Sequence, residues 1–98
     1  MPSKIYWTRQ AREDLRAIRN HIARDAPATA TAYVSRISDS VGRLSEFPFS
    51  GQVVTEIGRE EIREILQGNY RLIYQVSAQR VDILTVYHSA RILYESDL

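Results

Sequence analysis

Ninety-eight residues, 44% of them hydrophobic and 26% charged, describe one globular domain over residues 1–98 with room for a single modest core. The absence of cysteine excludes disulfides, thiolate chemistry and cysteine-ligated metals, and it fits a reducing compartment. A net charge of +1 excludes a polycation that coats nucleic acid indiscriminately. No apolar run approaches the roughly 18 residues that span a bilayer, and the opening MPSKIYW lacks the charged and apolar regions of a signal peptide. The expected location is the cytoplasm, away from any membrane. Twelve of the thirteen basic residues are arginine, Lys4 being the exception. Arginine grips carboxylate or phosphate with paired hydrogen bonds, but genomic base composition is the better account of its use on the surface.

Lys4 to Trp7 is aromatic and β-branched and reads as a strand. Thr8 then supplies a helix cap. Ala11, Leu15, Ile18 and Ile22 follow at spacings of four, three and four, while Arg9, Arg12, Glu13, Arg16 and Arg19 fill the other positions. This is an amphipathic helix running to about Arg24. Glu13 and Asp14 sit early in it, where acids favour the dipole, whereas Arg9 and Arg12 oppose it. RDAPA breaks the helix, and Pro27 suits the first turn of the next. Ala30, Tyr33, Val34, Ile37, Val41 and Leu44 form its apolar stripe. EFPFSG (Glu46 to Gly51) stops the second helix, since Pro48 disfavours helical geometry at Phe47 and Gly51 permits a turn. So short a break between the helices predicts a helical hairpin.

From Val53 the pattern changes. A loop leads to EIREIL (Glu61 to Leu66), where apolar and polar residues alternate; QGN then signals a turn, YRLIYQV (Tyr70 to Val76) a second strand, SAQR another turn and VDILTVYH (Val81 to His88) a third. The order β-α-α-β-β-β indicates an α+β fold, with the helical hairpin on one face of a small, mainly antiparallel sheet.

Several chemistries are excluded. The four glycines lie too far apart for a phosphate loop, no G-x-S-x-G is present, and His21 and His88 lack zinc-site spacing. No cofactor is expected. His21 reads as the edge of an apolar stripe and Trp7 as a packing residue. Strand alternation places Tyr70, Leu72, Tyr74 and Val76 on one face, with Arg71, Ile73 and Gln75 on the other. It likewise groups Leu84, Val86 and His88 against Ile83, Thr85 and Tyr87. Arg71 stands out in an otherwise apolar strand. It either pairs with Glu64 or Asp82 on a neighbouring strand or faces a phosphate. His88 and Arg91 leave a strand end, where functional groups are common, although spacing alone favours a polar terminus.

GNYRLIYQV, VDILTVYHSAR and LSEFPFSGQ, in this order of elements, resemble the RelE/ParE superfamily, the toxins of bacterial type II toxin–antitoxin modules often described as plasmid stabilisation proteins. The resemblance covers about residues 3 to 92. It implies a cognate antitoxin partner and one of two targets. RelE-like members cut messenger RNA on the ribosome; ParE-like members are associated with inhibition of DNA gyrase and lack the nuclease residues. Against the RelE-like pattern, Arg71 matches the arginine of the YR pair, Arg91 the later arginine, and Arg63 one basic residue of the preceding strand. His88 would be the acid or base. That strand supplies no second cation, Glu64 opposes phosphate unless it acts as the base, Lys4 is remote, and Tyr94 comes early for the terminal tyrosine. The long helical hairpin and the H-x-x-R ending lean towards ParE. A metal-independent endoribonuclease is the alternative, and a non-toxic binding relic of the fold the third reading.

Overall fold

A computed structural model describes residues 2–98. Strand β1 (Lys4–Trp7) leads into α1 (Arg9–Ala23) through Thr8. The Thr8 hydroxyl accepts from the Ala11 N–H at 3.2 Å and donates to the Ile83 carbonyl at 2.7 Å. The cap therefore satisfies an orphan amide and also ties the helix start to the sheet. No acid lies in the first turn of α1, so Glu13 and Asp14 do not serve the dipole there; Asp14 has a different task, described below. Helix α2 (Pro27–Arg43) begins at proline and buries Ala30, Tyr33, Ile37 and Val41 from the expected stripe.

The sheet has five strands in the order β1-β5-β4-β3-β2. β3 (Ile62–Gln67), β4 (Tyr70–Ser77) and β5 (Arg80–His88) form the predicted antiparallel meander, and β1 lies parallel to β5. The short β2 (Gln52–Val53) falls where a loop was expected; it pairs with Glu64 and Arg63 on β3. Two residues are too few to carry an alternation. Gly68 takes the positive φ (+58°) that the β3–β4 turn needs and that glycine adopts freely. Gly51 is required for another reason: its backbone lies against the Tyr74 hydroxyl and the Glu64 carbonyl, each only 2.5 Å from where a Cβ would stand.

The helices cover one face of the sheet, where Ile18, Ile37, Val41, Leu44, Leu72, Tyr74, Val81, Ile83 and Val86 form the main core. The other face carries a smaller cluster of Val54, Ile62, Ile73, Tyr87 and Leu93, closed over by the loop before β3 and by the segment after β5. Both faces of β4 are consequently buried. A register shift opposite Ile73 and Tyr74 inserts one extra residue into β5. It corrects the strict alternation expected of β5: Ile83 joins Val86 in the main core, and Leu84 joins Tyr87 on the other side. Asp14 seals the irregularity, accepting from the Thr85 hydroxyl at 2.5 Å and the Val86 N–H at 3.1 Å.

Candidate functional site

Arg71 lies in β4 on the face away from the helices, with Ile73 and opposite Tyr87. Its guanidinium is nearly buried, at 9% side-chain exposure, between two carboxylates. The loop residue Glu56 takes both arms of the fork, Nη1 at 2.6 Å and Nη2 at 2.8 Å. Glu64 on β3 accepts from Nη2 at 2.8 Å and Nε at 3.3 Å. Charge-assisted, bidentate bonds of this kind are the strong ones. The hydrogen bond from Arg71 holds the Glu56 carboxyl down at about 2, helped by the Leu93 backbone amide. The Arg71 guanidinium is in turn pushed above its ordinary value, by Glu56 first and then by Glu64. Of the two partners considered from the sequence, Glu64 is the one used; Asp82 instead pairs with Arg80 at 2.5 Å. One cation faces two anions, so the cluster repels phosphate.

Arg63 is also committed. It donates to the carbonyls of Glu60 at 2.8 Å and Gly51 at 3.1 Å and lies over the Phe49 ring at 5.0 Å, pinning the chain that enters β2. Arg91 is exposed and stacks over Tyr87 at 4.5 Å. His88 is exposed at the end of β5, opposite Tyr70, and meets that ring edge-on at 5.3 Å. The Ala90 N–H donates to its Nδ1 at 3.1 Å, which leaves Nε2 to carry the proton of the neutral ring.

The structure therefore separates the four candidates. Arg71 and His88 extend to opposite faces of the sheet, and Arg63 is spent on backbone carbonyls. Only His88 and Arg91 share a cleft, of about 340 Å³, and Asp14 and Asp97 line it too. An imidazole there can exchange a proton and a guanidinium can hold an anion, but the neighbouring acids offset attraction for an anion. Tyr94 is exposed, with its backbone N–H on Asp97. Glu56 escaped notice in the sequence, because nothing in TEIGREE marks it as the partner of a strand residue fifteen positions on. Among the described residues, no group of three or more potential ligands is placed to hold a metal ion, and no helix is long and apolar enough to cross a membrane.

A model of the ParE toxin of type II toxin–antitoxin system, parDE, matches residues 5–93. Toxin RelE2 of Caulobacter vibrioides is 30% identical over 90 residues, covering 92% of this chain and 99% of its own length. The putative toxin Y4kP of Sinorhizobium fredii is 36% identical over 89 residues, 88% of each chain. Among solved structures, the chromosomal ParDE system from P. aeruginosa shares the fold (TM-score 0.73, 22% identity, 88% of this chain and 95% of that one). A chain of the RelBE2 toxin–antitoxin complex from Mycobacterium tuberculosis aligns at TM-score 0.59 and 27% identity, over 90% of this chain and 99% of that one.

Proposed function

The chain belongs to the family of ParE toxins of type II toxin–antitoxin systems, and on that premise we propose that it arrests bacterial growth by binding DNA gyrase in the cytoplasm, and that a cognate antitoxin neutralises it. The observation that carries the choice of target is the confinement of Arg71 between Glu56 and Glu64. Cleaving RNA through its 2′-oxygen needs an acid, a base and a group of cations free to stabilise charge on the phosphorus. Here Arg71 faces two carboxylates and Arg63 faces carbonyls, so two of the three candidate cations are occupied. A protein target makes no such demand. The solved relatives are toxin–antitoxin complexes, which supports an antitoxin as the second partner.

A ribosome-dependent endoribonuclease is the second reading, favoured by the one cleft that His88 and Arg91 share. Two assays on the purified protein separate them. The gyrase reading expects loss of supercoiling by added gyrase and intact messages in a translation extract. Messages cut by the wild-type chain but not by a folded His88→Ala variant, with supercoiling untouched, would reverse the assignment. Inducible expression without growth arrest would instead mark a non-toxic relic.

A further inference from the structure

The α1–α2 turn, the β3–β4 turn and the end of β5 meet around a cleft of about 540 Å³. His21, which the sequence places at the edge of an apolar stripe, lines it together with His88. So does a row of rings. Tyr33 and Tyr70 lie 5.9 Å apart with their planes at 67°, and Tyr70 and His88 lie 5.3 Å apart at 79°. Each ring is turned steeply from the next, so the three stand as walls meeting at corners and not as a stack. These walls are held in place. The Tyr33 hydroxyl donates to the Gln67 carbonyl at 2.7 Å, Tyr70 pairs with His88 across β4 and β5, and the His88 ring accepts from the Ala90 N–H.

The charge around these rings has one sign. No lysine or arginine lines the cleft, although the chain has thirteen and four other clefts each hold at least one arginine. Asp25 does line it, and among the described residues it has no cationic partner. Nor does Asp25 cap α2, whose N-cap is Ala26 with no side-chain bond. The C-terminal end of α1 and the N-terminal end of α2 both lie here, so their dipoles oppose and the side chains decide. Aromatic rings draw a cation to their faces, an unpaired carboxylate adds to the pull, and Ile22 offers apolar surface to alkyl groups. We infer that this cleft binds a small alkylated ammonium ion, free in solution. An anion would meet Asp25 with no lysine or arginine to offset it. A metal ion would need a further ligand, and among the described residues no group of three is placed to hold one. A neutral ring would gain nothing from Asp25. The inference does not depend on whether gyrase is the target.

His21 and His88 are the only histidines, so their ring proton resonances report on the cleft directly. The full chain would be titrated with choline and, separately, with dimethylbutanol, its neutral carbon isostere. Choline should give saturable shifts at both histidines, and the isostere should bind about tenfold more weakly or worse. Asp25→Asn, at an exposed position, and Tyr70→Leu, which removes the middle ring, should each weaken choline by about fivefold or more. Tyr70→Phe keeps the ring and should stay within about twofold of the wild-type chain. Circular dichroism checks each fold; if Tyr70→Leu does not fold, Asp25→Asn and the isostere decide. Equal binding of the two compounds, an unchanged affinity in Asp25→Asn and in folded Tyr70→Leu, or tighter binding of inorganic phosphate would each overturn the inference. So would the absence of any saturable shift up to about 10 mM choline. Sedimentation of the chain with phosphatidylcholine vesicles that free choline cannot release would also overturn it, because the site would then serve a lipid surface.

Discussion

Replacing Arg71 by methionine tests whether this arginine serves structure or chemistry. The substitution keeps the length of the side chain and removes the cation. It leaves Glu64, with a side chain only 10% exposed, facing Glu56 with no counter-charge. Four hydrogen bonds to two carboxylates disappear together. Breaking a buried pair on one side costs about 3–5 kcal/mol, because the orphaned charge stays buried. Glu56 is 30% exposed and can turn to water, so the lower end, about 3 kcal/mol, is expected here. For a domain near 100 residues that is a fall in Tm of roughly 12–24 °C, out of a total stability of about 5–15 kcal/mol.

Urea unfolding followed by far-ultraviolet circular dichroism measures the loss. The companion Arg71→Met/Glu64→Gln should recover part of it, since it removes the stranded charge; coupling within such a network runs to about 0.5–3 kcal/mol. The reasoning fails if Arg71→Met costs less than about 1 kcal/mol. It fails more tellingly if that stable variant also loses message cleavage that the wild-type chain performs. Arg71 would then be held ready for a phosphate, and the two carboxylates would be its positioning partners.

The same cluster sets an acid limit. The Glu56 carboxyl is lowered from 4.5 to about 2 by Arg71, so the unfolded chain takes up the proton first as pH falls. Its contribution is complete above about 4.5 and is lost on the way down to about 2; melting at stepped pH should show this loss, and Arg71→Met should flatten it. Gly51→Ala should cost about 1–3 kcal/mol in urea unfolding, because the new methyl meets a backbone carbonyl and the Tyr74 hydroxyl. Thr8→Ala should cost about 1–2 kcal/mol by the same measurement, with Thr8→Ser retaining most of the stability, since the hydroxyl both caps α1 and reaches Ile83.

The elements that could be read from the chain are those long enough to show a period. α1 and α2 repeat apolar residues at three and four, and β4 alternates from Tyr70 to Val76; their cores are where those patterns put them. What escaped lacks a period. β2 has two residues, and the irregularity at Leu84 shifts the alternation by one within a run that is apolar on both sides. The second cluster joins Val54 and Leu93, far apart in the chain, so no local pattern announces it. Arg71 was legible as an anomaly, and Glu64 as a partner because β3 pairs with β4. Glu56 was not, since it arrives from a loop whose path only tertiary packing decides.

That asymmetry bears on how this fold changes function. A YR arginine on β4 has the same sequence signature whether it grips a substrate phosphate or a neighbouring carboxylate. What differs is the sum of charge around it, and here that sum is set by Glu56 and Glu64. The acid on β3 directly follows Arg63, the one basic position of that strand that matches a nuclease pattern, so the strand that would bring cations to a phosphate brings an anion to Arg71 instead. A neutral residue at both acidic positions would release a fixed cation beside Tyr87, at the cost of the charge network that now joins the loop to the sheet. On this scaffold the companion acids, more than the arginine itself, discriminate between a site built to hold a phosphate and one built to hold the fold.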